Sequence, residues 1–184
     1  MLLFMSRYNY AQNNAAEIKA GAGYLSDEYL KNLAANALWG FLLFFLDHVF
    51  AVKTSGIYSA DALVTVKNMG LQAGFSYEGE RIYVTEINNG QGTYLCQAVN
   101  STMASFQYKY FKGQKHYFYS GIDLGIKTGS MVTTNNNEQT VEKYSNLAYH
   151  LNTVDYHCEN EIVFFIEPGF GAKGLMQAGA LSRY

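Results

Sequence analysis

Apolar and polar residues alternate with a period of two along most of this chain. Phe118, Ser120, Ile122, Leu124 and Ile126 share one face of a segment whose other face carries Tyr119, Gly121, Asp123, Gly125, Lys127 and Gly129. Ile18, Ala20, Ala22 and Tyr24 oppose Glu17, Lys19, Gly21 and Gly23 in the same way, and Leu71, Ala73, Phe75 and Tyr77 oppose Gln72, Gly74, Ser76 and Glu78. Alternation of this kind predicts half-buried strands. Eight are expected: 17–25, 55–67, 71–79, 93–111, 117–132, 146–158, 162–171 and 175–184. The connections between them are tight at 68–70, 112–116 and 159–161, and long at 26–54, 80–92 and 133–145, with a final short one at 172–174. Short turns at one end and longer loops at the other are the pattern of a membrane-spanning barrel. The expected fold is therefore all-β, an eight-stranded antiparallel up-and-down transmembrane β-barrel, with a short helix in the first long outer loop.

Two places break the phase. Pro168 cannot donate a ladder hydrogen bond, so a bulge is expected there. The run 147–158 loses alternation around Thr153–Asp155, which predicts another. In the first long connection Ser26 is placed to cap a helix, with Asp27 and Glu28 favourable at its amino-terminal dipole. Leu30, Leu33, Ala34, Ala37, Leu38, Phe41, Leu42 and Phe45 follow at helical spacing. The apolar stretch within 29–46 is too short to cross a bilayer as a helix. It is expected to pack on the barrel rim or dip into the outer leaflet, with a lid over the barrel mouth as the alternative.

Composition sharpens the choice of solvent. Hydrophobic residues make up 49% and charged residues only 15% of the 184 positions, and a single proline is present. Low charge with a strongly apolar half fits a barrel whose outside faces lipid. The polar face interleaves glycine with charges of both signs, as a narrow interior would, and shielded charges must pair. Lys19, Asp61, Lys109, Asp123, Lys127, Glu167 and Arg183 are the candidates for that lumen network. A soluble antiparallel sheet also alternates, with its apolar face inward, so alternation alone leaves both readings open.

Other chemistry is sparse. A net charge of -2 argues against a nucleic-acid partner. No His/Cys pairing stands at metal-ligand spacing, so neither metal nor cofactor is expected. Cys96 and Cys158 fall toward opposite barrel ends, too far apart to bridge. Among His48, His116, His150 and His157, only His150 falls inside the barrel, where it is expected as a hydrogen-bonded lumen residue rather than a catalytic base. Residues 1–12 read as a signal-peptide remnant or leader, with the barrel domain at 13–184.

The run FFIEPGFGAKGLMQAGALSRY resembles the last hairpin of small outer-membrane β-barrel proteins of the Bacteroidetes type, a porin-like family. IKAGAGYLSDEYLKNLA and SGIYSADALVTVKNMGLQAGFSYEGE resemble its opening strands, so the resemblance covers the chain from about residue 17 onward. It implies a bacterial outer-membrane location, outer-membrane lipids and the barrel-assembly machinery as partners, and no catalytic residues. Tyr184 matches the terminal aromatic of the family's assembly signal, whereas Ser182 departs from it. The expected function is a non-enzymatic barrel with a side-chain-filled lumen, serving the envelope structurally or recognising surface ligands through its loops. The alternatives are a soluble lipocalin- or avidin-like ligand-binding barrel and a lipid-modifying outer-membrane enzyme.

Overall fold

The computed structural model describes residues 16–42, 48–66, 70–88, 91–112, 116–135, 138–158 and 163–183. Its elements are β1 (Ala16–Tyr24), α1 (Asp27–Leu42), β2 (His48–Val66), β3 (Leu71–Asn88), β4 (Gln91–Lys112), β5 (His116–Asn135), β6 (Glu138–Cys158), β7 (Val163–Gly171) and β8 (Met176–Arg183). The eight strands pair antiparallel in chain order, and β1 pairs with β8 to close the ring. Stepping across the ladder from Ile18 leads through Ala62, Phe75, Ala104 and Leu124 to Tyr149, whose carbonyl accepts from Ala172 N–H at the β7–β8 turn. Ile18 itself pairs with Ser182, far along β8. That offset is the shear of a barrel whose strands tilt.

The strands are longer than the alternation predicts. Segments 80–92 and 133–145, expected as long loops, are mostly strand: the β3–β4 ladder runs to Asn88↔Gln91 and the β5–β6 ladder to Asn135↔Glu138. β2 likewise starts at His48 rather than 55. The reason lies in which face is apolar. Below Gly79, β3 turns Leu71, Phe75 and Tyr77 outward and buries Gln72, Ser76 and Glu78. Above it the pattern inverts, with Ile82 and Val84 buried inside and Arg81 exposed outside. β2 does the same across an irregularity between Thr54 and Ile57, exposing Lys53 above it and Tyr58, Ala62 and Val64 below.

The outer wall below this line is uncharged at every outward position among the described residues. Ile18, Phe75, Phe106, Leu124, Ile126, Leu147, Phe164 and Ile166 are among its exposed apolar side chains. Tyr24, Tyr58 and Tyr77 stand toward the α1 end, and Tyr108 and Tyr110 toward the opposite end. The inner face is the reverse: Glu17, Lys19, Asp61, Gln72, Glu78, Gln107, Asp123, Lys127, His150, Glu167 and Gln177 are all buried.

One bulge serves for the two expected. The register shifts on β6 between Asn152 and Tyr156, opposite Gly169 and Ile166, so the extra residue lies on β6 and Pro168 itself pairs with Met176. Thr153 Oγ1 donates to the Pro168 carbonyl at 3.0 Å. The helix starts where expected and extends to Leu42. The side chains of its apolar second half, and the leader at 1–12, lie outside the described residues. Cys96 is a free thiol. Cys158 pairs with His116 at the far end of the barrel, while Cys96 pairs with Tyr83 near the α1 end.

Candidate functional site: a charged lumen beneath a plugged mouth

Three groups of ion pairs fill the lumen. In the first, Lys19 Nζ lies 2.7 Å from Glu167 and donates to Gln107 Oε1 at 3.1 Å. The same ammonium sits 5.4 Å from the Tyr119 ring centroid and 5.5 Å from that of Phe165. Lys109 approaches Tyr119 as well, at 5.1 Å. Two cations therefore share one aromatic face system, which suits a desolvated ammonium.

The second group centres on Lys173, absent from the expected network. The β7–β8 turn tucks inward instead of projecting, with Gly171 and Gly174 at φ of 131° and 89°, a region glycine reaches without steric cost. A Cβ on Gly174 would collide with the Tyr24 carbonyl. The turn thereby drops Lys173 into the lumen, where Nζ lies 3.1 Å from both Asp61 oxygens and 2.9 Å from Asp123. Lys173, Asp61 and Asp123 are all buried.

The third group joins the helix to the wall. Ser26 Oγ accepts from the Tyr29 N–H at 2.9 Å, capping α1 as the sequence predicts. The Ser26 hydroxyl donates in turn to Glu80, whose other oxygen accepts from Thr54 Oγ1 at 2.7 Å. Lys127 reaches up from β5 to Asp27 at 3.0 Å and Glu28 at 2.7 Å. Tyr29 packs with Ile82 and Val84, and Asn32 donates to Gln97. The first turn of α1 is thus a plug seated in the barrel mouth; the choice between leaflet helix and lid for the apolar stretch that follows turns on side chains outside the described residues. A cavity beneath it, lined by Ser26, Asp27, Glu78 and Lys127, is no larger than about one water molecule.

Of the expected network, Lys19 and Glu167 meet directly, Asp61 and Asp123 meet through Lys173, and Lys127 turns to the helix. Lys109 faces Tyr119. Arg183 is opposite Glu17 in the β1–β8 ladder, but its side chain, like Tyr184, lies outside the described residues. His150 is fully buried opposite Asp123, yet neither ring nitrogen makes a hydrogen bond within the described structure, contrary to expectation. Ser105, Asp123 and His150 lie side by side across three strands. The acid stands between serine and histidine, whereas a nucleophilic triad needs the imidazole in the middle. No cluster of three or more His, Cys, Asp or Glu with metal-site geometry occurs among the described residues.

The plug has a pH signature. Burial pushes the Asp27 carboxyl up, but hydrogen bonding and attraction from Lys127, then Lys31, outweigh it and hold the group below its ordinary value. A lowered folded-state pKa contributes stability above the unfolded value and loses it as pH falls through the folded one. Acidification below about pH 4 is therefore expected to loosen α1 before the barrel. NMR of the α1 amides against pH checks this, and Asp27→Asn should abolish the step.

No family model matches the sequence, and no characterised protein matches it either.

Proposed function

We propose that the chain is an integral outer-membrane barrel without enzymatic activity, whose filled lumen supports the wall and whose extended upper strands face the cell exterior. The observation that carries this reading is the inversion of apolar faces along single continuous strands. Below Gly79 and Ile57 the outside is apolar and uncharged while the inside holds ion pairs. Above, apolar residues turn inward against α1 and Lys53 and Arg81 turn outward. One solvent cannot favour both arrangements; lipid below and water above can. The tyrosines at both ends of the apolar band suit its two interfaces. A shallow groove over Ala62, Ala73 and Ala104, flanked by Ile18, Val64, Phe75 and Phe106, offers acyl chains a seat on the wall.

A soluble ligand-binding barrel needs an apolar cavity, and this lumen is packed with paired charges and amides. The lumen is also too well filled for a wide pore, as eight strands leave room for side chains only. The test is fractionation of expressing cells followed by electrophoresis with and without boiling. The expected result is outer-membrane partition and a mobility shift on boiling. A soluble protein with no shift overturns the reading.

A further inference from the structure

Above the closed ring the wall is open among the described residues. β1 pairs with β2 only up to Gly23↔Ile57, and β7 pairs with β6 only up to Gly171↔His150. Among the described residues, the upper parts of β2, β3, β4, β5 and β6 therefore form an open sheet of five strands with two edges. The β2 edge is compromised by the irregularity at Thr54/Ile57, by Gly56 at φ 78°, and by α1, against whose cluster Val52 packs. The β6 edge is regular. Its ladder to β5 runs unbroken from Asn152 to Glu138, and residues 138–147 are exposed except for half-buried Tyr144.

The orientation of its main chain follows from one bond. The Tyr149 carbonyl points to the β7 side, where it accepts from Ala172 N–H at 2.9 Å. Main-chain groups alternate sides along a strand. Gln139, Val141, Lys143, Ser145 and Leu147 therefore aim their N–H and C=O groups at the free edge. Their neighbours Glu138, Thr140, Glu142 and Asn146 bond to β5. Glu138 and Glu142 share the inner face, opposite Asn135 and Met131, and neither forms an ion pair among the described residues.

We propose that the β6 edge is a docking site for an extended segment of another polypeptide, added as an antiparallel strand with basic residues four apart facing Glu138 and Glu142. The proposal rests on the outer-membrane reading above. That reading also disfavours a second copy on this edge. An antiparallel pair of identical strands has its two-fold axis perpendicular to the sheet. The barrel wall stands along the membrane normal, so that axis lies in the membrane plane and inverts one of the two barrels. A strand from a non-embedded polypeptide has no such constraint, and strand addition supplies main-chain affinity with side chains setting specificity.

The probe is a capped synthetic peptide, Thr-Val-Lys-Val-Thr-Val-Lys-Val-Thr, with a control carrying Glu in place of both Lys. It is titrated against the full chain in detergent micelles. The expected result is preference for the lysine peptide, with hydrogen-exchange protection of the Val141, Lys143 and Ser145 amides. Proline is tolerated at edge positions whose N–H faces outward, so Val141→Pro with Ser145→Pro should weaken binding about ten-fold or more while the boiling-dependent gel shift persists. Glu138→Lys with Glu142→Lys should reverse the preference toward the control peptide. Equal binding by the proline variant, no preference between peptides, or disulfide-linked dimers of Val141→Cys each overturn the proposal. Loss of the gel shift in the unmodified chain overturns the membrane reading instead, whatever the peptide does.

Discussion

Lys173→Met is expected to cost the barrel about 3–5 kcal/mol, because it strands two carboxylates that have no other cation at contact distance among the described residues. Asp61 and Asp123 are buried in the lumen, so neither can recover its solvation by turning to water. Methionine keeps the length and apolar stem of the lysine, which isolates the charge from the packing. Unfolding by guanidinium in detergent, followed through the gel shift, reads the loss. Combining Lys173→Met with Asp61→Asn and Asp123→Asn should restore much of it, since removing a buried pair whole costs far less than breaking it. A Lys173→Met barrel that unfolds at the wild-type midpoint would mean that water reaches these carboxylates.

Phe75→Arg tests the outer wall. Phe75 is 70% exposed and lies in the middle of the uncharged band, paired with Ala62 and Ala104. In lipid, an arginine near the midplane costs about 2–4 kcal/mol. In water the same change at so exposed a site is close to neutral. The expected result is a clear loss of stability and of assembled protein for Phe75→Arg. Tyr83→Arg, outward but above the inversion line, should change little. Equal tolerance of both would place the band in water.

These contrasts explain what was legible in the sequence. The eight strands, their order, the bulge near Thr153 and the Ser26 cap all follow from local signals: period two, a phase break and a hydroxyl before two acids. The upper strands are less legible because the period persists there while the apolar face changes sides. Glu80, Arg81, Glu86 and the Asn-rich turns then read as loop. Asn89-Gly90 between Ile87 and Tyr94 is itself a strong two-residue hairpin signal, the local feature that joins β3 to β4. Lys173 was hidden for a different reason. It sits in the four-residue connection between β7 and β8, and only the inward tuck allowed by Gly171 and Gly174 makes it a lumen residue. Asp27 and Glu28 read locally as acids at a helix dipole, because Lys127, their partner on β5, stands 100 residues from Asp27.

That distance along the chain has a kinetic meaning. Lys19 meets Glu167 across 148 residues and Lys173 meets Asp61 across 112. Before β7 and β8 arrive, Lys19, Asp61 and Asp123 line a half-formed trough without those partners. Charges left without those partners are costly wherever water is excluded. The last hairpin brings seam, cation and counter-charge together. Closure of the ring is therefore expected to come last in folding, with high contact order slowing the search. Once the seam has formed, the same pairs resist reopening, so the closed barrel is expected to owe its persistence chiefly to slow unfolding.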